Sequence, residues 1–386
     1  MRGLLTLAGE GSRMLPWTRG LRKELLPLYD RGIGGVPVMK PVANFVLETL
    51  IDAGLDDVVL VVGGQDGGAA VQNYFTIDRE FLARHAHHSE RLHELTAFYR
   101  RLESVRIRFV TQPLPHGFGD AVLRAQPFLG SEPFVLHAGD AVLLERHRGH
   151  VPSLLAKIRD RDDVDAVLFV RKVSNPRSYG VVEGKTVGRE GDFRRLAVTG
   201  MEEKPAHPRS SWAATALYCF SPRIFDALKK VAREDPAAEL ELTAGIQQLL
   251  RDGASVAALV LDPRFADWRS VGSPDAYQRA LHRTYTIART GRAFGAPSTL
   301  GEVGVRSALH LPALLDDPSE LEGSFASPSV TNARPPLPLD LPADFAGEPA
   351  NAPTGPGTTE PNLPSTDASS VGGSPRRLRP VNDPPG

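Results

Sequence analysis

The sequence predicts an α/β fold, a Rossmann-like, mostly parallel sheet flanked by helices, with a small antiparallel subdomain. Three observations carry this. Unbroken Val/Leu/Ile runs of strand length recur along the chain, as expected of strands buried on both faces. Amphipathic helical patterns separate the first several of them. Later, "YGVVEG" (179–184), "LAVTGMEEK" (196–204) and "WAATALYCF" (212–220) follow one another with little helix between, which predicts antiparallel strands laid against the main sheet.

In chain order, "LLTLA" (4–8) is the first buried strand and "VANFVLETLIDAG" (42–54) an amphipathic helix closed by Gly54. "DVVLVVGG" (57–64), "VRIRFV" (105–110), "EPFVLHAGD" (132–140) and "VDAVLFVRKV" (164–173) continue the strands, with the helical "GDAVLRAQPFL" (119–129) and "VPSLLAKIRDRDD" (151–163) interposed. Residues 79–103 form a helical insertion, with Leu92, Leu95, Phe98 or Tyr99 and Leu102 on one face. His85, His87 and His88 within it suggest a metal, but His85 and His88 lack a clear third partner, and the cluster reads as solvated helix-surface residues. Three helical segments around the strand "VAALVL" (256–261) complete a domain spanning 1–295. Residues 296–324 form a helical or linker segment. Beyond Phe325 lie 14 of the 33 prolines, among Ala, Ser, Thr and Gly, so residues 325–386 are expected to be a disordered tail.

Composition excludes several classes. Lys+Arg 45 against Asp+Glu 46 gives a formal charge of −1, without the basic excess of a general nucleic-acid binder. No apolar run reaches the roughly 18 residues of a membrane span, and Gly9 to Arg13 interrupt the first apolar run too early for a secretory leader. Cys219, the single cysteine, lies in an apolar stretch and reads as a core thiol. A cytoplasmic protein, binding neither nucleic acid nor membrane, is expected.

The segment after the first strand, "LAGEGSRMLPWTRGLRKELLP" (7–27), brings two glycines, a hydroxyl, Arg13 and Lys23 together. Glycines let a backbone turn its N–H groups toward an anion, and cations add charge-assisted bonds, so the segment suits phosphate. It lacks the third glycine of a dinucleotide fingerprint and the Lys-Ser/Thr end of a Walker loop.

With Arg13, the following "LP" and "KELLP", the segment resembles the signature loop of the sugar-1-phosphate nucleotidyltransferases. Five further stretches resemble that family in order: "KPVANFVLETLIDAG", "TQPLPHGFGDAVLRA" (111–125), "HAGDAVL" (137–143), "YGVVEG" with "MEEKP", and "LELTAGIQQLL". The resemblance covers about residues 2–290, implies the nucleotide-diphospho-sugar transferase fold, and is strongest to the uridylyltransferase branch, which the insertion at 79–103 favours. It implies transfer of UMP from UTP to glucose-1-phosphate with Mg²⁺, and a possible homo-oligomer. Carried over residue by residue, it has Ala8, Gly9, Gly11 and Ser12 wrapping the triphosphate, with Arg13 and Lys23 on its phosphates. Gln112 and Gly117 would meet the base, and Asp140 would hold the metal. Gly180, Glu203, Lys204 and Glu239 would bind the sugar phosphate, within a subdomain at about 175–245.

Plainer readings compete. Arg13 and Lys23 also suit surface cations, Asp140 a turn or cap, Gln112 a loop amide, Glu203 and Lys204 an exposed charge pair, and Glu239 one acid among several. The sequence also departs from the family pattern. Ser270 stands at the usual second metal aspartate, with Asp267, if the loop shifts, or waters as alternatives that could complete the metal's shell. "GGQDGG" (63–68) replaces a Lys/Arg-bearing stretch, Ala244 replaces an aspartate, and Asp120 stands where histidine is usual. Arg22 in place of proline is expected to be of little consequence. These departures keep open a catalytically weak relative that binds nucleotide or nucleotide-sugar as a regulatory subunit, and a relative using dTTP or another sugar-1-phosphate.

Overall fold

The computed structural model describes residues 1–291 apart from 65, 86–88 and 163. Its strands are β1 (Arg2–Leu7), β2 (Pro27–Arg31), β3 (Pro37–Pro41), β4 (Asp57–Gly63), β5 (Arg106–Gln112), β6 (Phe134–Ala138) and β7 (Ala141–Glu145). They continue with β8 (Ala166–Lys172), β9 (Gly180–Glu190), β10 (Phe193–Glu203), β11 (Trp212–Phe220), β12 (Val256–Val260) and β13 (Ala266–Ser270). The helices are α1 (Val42–Asp52), α2 (Asp66–Tyr74), α3 (Arg79–Arg84), α4 (Ser89–Glu103) and α5 (Phe118–Arg124). After them come α6 (Gln126–Leu129), α7 (His150–Asp162), α8 (Arg223–Glu234), α9 (Leu242–Arg251) and α10 (Pro274–Thr290).

Nine strands form one sheet in the order β5-β4-β1-β6-β11-β8-β12-β10-β9 among the described residues. The run β5-β4-β1-β6 is parallel. β11 enters antiparallel to both β6 and β8, and β10 pairs antiparallel with β12 and β9. The expected antiparallel segments therefore continue the main sheet instead of lying against it. The apolar run of β1 shows why the sheet is covered on both faces. Leu5 and Leu7 pack into one core with Val58, Leu60, Val62 and Phe169. Leu4 and Ala8 point into a second core with Val59, Val61, Leu136 and Leu168. This alternation is the two-residue period of a strand with apolar layers above and below.

The insertion is helical as expected. Phe98, Tyr99 and Leu102 of α4 are buried in the first core, and Leu95 packs against it. His85 stacks on Phe81 at 4.1 Å between ring centroids, while His87 and His88 lie outside the described residues. Cys219 is buried, and burial pushes its thiol up to about 12, as a core residue requires. The segments expected at 296–324 and 325–386 also lie outside the described residues.

Two small pairings not anticipated from the sequence matter for the site. β2 and β3 form a hairpin held by a third core containing Met14, Leu28, Phe45 and Ala280. β13 pairs antiparallel with β7, Ser270 opposite Ala141, which carries residues 270–272 to the end of β6.

Candidate active site

A cleft of about 490 Å³ opens beyond the carboxyl ends of β1, β5 and β6. Open α/β sheets place ligands there because the helical connections leave that edge uncovered. Its floor begins where β1 ends in buried Ala8 and the chain turns outward through Gly9. Gly11 has φ +68°, and a Cβ there would lie 2.9 Å from Thr18 Cγ2, so the turn needs glycine on both counts. Among the described residues, none of the backbone N–H groups from Gly9 to Arg13 has a protein acceptor. Such a row of open donors is suited to an anion.

Behind this loop Lys23, mostly buried, donates to Asp140 Oδ2 at 2.7 Å. Asp140 occupies the turn between β6 and β7 and accepts from Val271 N–H through its own carbonyl at 2.8 Å. Burial opposes both charges, yet the pair outweighs it. The Lys23 ammonium is held above the usual lysine value by Asp140 and Glu24, and the Asp140 carboxyl below the usual carboxylate range by Lys23 and Arg13. The position a Cβ would take on Gly272 lies 2.9 Å from Arg13 Nη2, 3.2 Å from Ser270 Oγ and 3.7 Å from Asp140 Oδ2. The fold thus gathers Arg13 and Lys23, Asp140, and Ser270 from three separate stretches.

Asp267 is not brought with them, which corrects its expected role as a substitute metal ligand. Three residues before Ser270 on β13, it has opposite parity and faces away. Its Oδ2 accepts from Arg269 at 2.7 and 3.0 Å and from Arg283 at 3.3 Å. Arg22, expected to be of little consequence, makes two contacts here. Its guanidinium donates to the carbonyls of Gly9 and Gly64, each at 3.4 Å, linking the loop after β1 to the end of β4.

One end of the cleft, where Gln112 and Gly117 are expected to meet the base, is built by Gln112, the last residue of β5, and the turn into α5. Gln112 is buried and borders the cleft. Gly117 has φ +102°, and a Cβ there would meet Leu240 O at 2.5 Å. Its missing side chain is therefore required by packing against residue 240 as well as by the cleft wall it forms.

At the other end, register pairs Glu203 with Gly180 across β10 and β9. Glu203 Oε2 lies 3.0 Å from where a Gly180 Cβ would be, and its Oε1 lies 3.0 Å from Lys204 Nζ. That ion pair holds the Lys204 ammonium above its usual value. Lys204 and Glu239 border the cleft, joined by Glu241 and Ala216. Lys204 and Ala216 have positive φ, 41° and 56°, which side-chain-bearing residues seldom adopt. Strain of this kind collects at binding sites, where surrounding structure over-determines it.

The sequence did not single out Glu24, Glu241, Ala216 or Gly272. Glu24, next to Lys23 and bordering the cleft, is 1% exposed, and among the described residues no group reaches its Oε2. Burial pushes its carboxyl up to about 7. No group of three or more His, Cys, Asp or Glu side chains suited to a metal occurs among the described residues. A lone Asp140 carboxylate fits Mg²⁺ only where phosphate oxygens and water supply the remaining ligands, the mode Mg²⁺ commonly adopts. No helix of the described residues is long and apolar enough to cross a membrane.

The chain is 29% identical over 275 residues to a glucose-1-phosphate thymidylyltransferase of Streptomyces antibioticus, covering 71% of this chain but only 63% of that relative. It is 30% identical over 263 residues to a UTP–glucose-1-phosphate uridylyltransferase of Mycoplasma pneumoniae, covering 65% of this chain and 82% of the relative. Among solved structures it is similar to a UTP-bound UGPase from Acinetobacter baumannii. The TM-score is 0.61 at 25% identity, over 74% of this chain and 93% of that one. Residues 2–286 match the nucleotidyl transferase family, and the chain belongs to that family.

Proposed function

We propose that this protein transfers a nucleotidyl group from UTP to glucose-1-phosphate, releasing pyrophosphate and forming UDP-glucose with Mg²⁺, in the cytoplasm. The observation that carries the reading is the open row of N–H donors from Gly9 to Arg13 set against the Lys23–Asp140 pair and Arg13. A triphosphate laid along the row would place its departing β- and γ-phosphates against two cations. Its α-phosphate would lie toward Asp140.

A phosphate oxygen of the sugar phosphate attacks the α-phosphorus in line, and the α–β bridging bond breaks with its electron pair leaving on pyrophosphate. The nucleophile is already anionic, so no general base is required. The protein's task is to position the reactants and offset charge. Arg13 and Lys23 neutralise the leaving group, and Lys204 with Glu203 and Glu239 would hold the sugar phosphate. Mg²⁺ held through Asp140 would supply charge neutralisation at the phosphates. Relatives of both uridylyl and thymidylyl type support the class of reaction, and uracil and thymine share the same imide edge.

A second reading has its own support. Ser270 offers only a hydroxyl beside Asp140, and Asp267 is engaged elsewhere. A protein that holds nucleotide but turns over slowly fits that arrangement. Pyrophosphate release from UTP or dTTP plus glucose-1-phosphate, with and without Mg²⁺, separates the readings when nucleotide binding is followed in parallel. Mg²⁺-dependent release establishes the transferase, while binding without release leaves the nucleotide-holding relative.

A further inference from the structure

Gln112 and Asp120 form a contact whose chemistry leaves one arrangement. Gln112 Nε2 donates to Gly117 O at 3.0 Å and to Asp120 Oδ2 at 2.8 Å. Both partners are pure acceptors, so the amide cannot be reversed without setting oxygen against oxygen. Both N–H bonds are thereby used. Among the described residues no donor reaches Gln112 Oε1, and that oxygen keeps access to the cleft. Asp120 is itself fixed from the other side by Arg124, whose Nε donates to the same Oδ2 at 2.7 Å, one helical turn on.

We propose that Asp120 is a positioning residue for base selection: it locks the Gln112 amide with its oxygen outward, as a fixed acceptor at the base end of the cleft. This rests on the nucleotide reading of the cleft and deepens it. A fixed acceptor matches a pyrimidine that presents an imide N–H, as uracil and thymine do. Cytosine presents a lone pair at the same ring position, so two acceptors would face each other without a proton. An unpaired buried acceptor is a strong basis for rejection, much stronger than a difference in shape. The lock does not separate UTP from dTTP; it separates both from CTP. Removing Asp120 leaves the amide tied only at Gly117 O, free to offer its NH₂ edge to the cleft for part of the time.

The test is titration calorimetry of UTP and CTP against the full chain carrying Asp120→Ala, Asp120→Asn, Asp120→Lys, Gln112→Ala and the Asp120→Ala/Gln112→Ala pair. Alanine suits this helical position, and thermal melting checks that each variant is folded. Asp120→Ala should lower the UTP-over-CTP binding ratio by roughly tenfold. Asp120→Asn, which can still accept from Gln112, should restore most of it. Asp120→Lys, which places a donor there, should move the ratio further toward CTP. In the Gln112→Ala background, Asp120→Ala should add nothing, since the two act as one unit. A ratio unchanged in Asp120→Ala and Asp120→Lys, while Gln112→Ala collapses it, overturns the positioning role alone. A ratio unchanged in Gln112→Ala overturns the base-end reading of the cleft, and the positioning role with it.

Discussion

Arg13 reaches the point where Gly272 lacks a side chain, beside Ser270 Oγ and Asp140 Oδ2, while remaining exposed along the loop. Its charge is in place before substrate arrives, which is what makes an electrostatic contribution to a rate large. Arg13→Ala should lower turnover by about 10²–10³ with an unchanged melting temperature; full activity in that variant would sink the loop assignment. Ser270→Asp restores a carboxylate beside Asp140. Half-maximal rate should then need severalfold less Mg²⁺, and Mn²⁺ binding followed by electron paramagnetic resonance should tighten in step. No change in either would remove Ser270 from the metal's surroundings. The cations and glycines here were legible because they are close in sequence and bear on one chemistry. Asp267 was misjudged because three residues along a strand reverse the facing direction, a parity that is invisible until residues 266–270 are known to be a strand. Glu24 was hidden by its neighbour, since nothing in "KELLP" distinguishes a buried acid from an exposed one.

At the scale of elements, the central strands declared themselves because burial on both faces leaves an unbroken apolar run. The β2–β3 hairpin did not, because "PLYDR" and "PVMKP" begin or end in proline and pack on only one side. β6 has a less obvious consequence. His137 on it is opposite Leu5 on one side and Leu217 on the other, fully buried, its Nδ1 donating to Ala138 O at 2.7 Å and its Nε2 without a partner among the described residues. Burial pushes this imidazole down to about 4 from its ordinary 6.5. A depressed folded-state value means the unfolded chain binds the proton more readily. Stability from keeping His137 neutral is therefore present above pH 6.5 and is lost as pH falls toward the folded value. Across that window the loss is on the order of 3 kcal/mol. His137→Leu removes the proton site while keeping the position apolar. Urea unfolding at a series of pH values should show the free-energy difference between variant and wild type moving by about 3 kcal/mol toward the variant from pH 7 to pH 4. Parallel curves for the two proteins would rule out His137 as a source of acid sensitivity.

Across the folded unit, one sheet serves both halves of the cleft. Its parallel run, β5-β4-β1-β6, ends at the loop of residues 9–13, Gln112 and Asp140, while β9 and β10 at the far edge pair Gly180 with Glu203 beside Lys204, which borders the cleft. β11 joins the halves. It pairs with β9 through Trp212–Ala213 and with β8 through Trp212–Ala214, then shifts register and runs between β8 and β6 through Tyr218–Phe220. The shift falls at Ala216, whose positive φ brings it to the cleft wall. All three apolar cores close between Met1 and Ala288, and α10 ends in Gly291 at φ +67°, the left-handed cap that terminates helices. Among the described residues, those that line the cleft run from Thr6 to Gly272, all before that cap. A chain ending at Phe325 should therefore keep its melting temperature, its nucleotide binding and any pyrophosphate release at full-length values. A large loss of release with melting temperature unchanged would show that residues 326–386 act on the cleft itself. A fall in melting temperature would instead show that they support the fold.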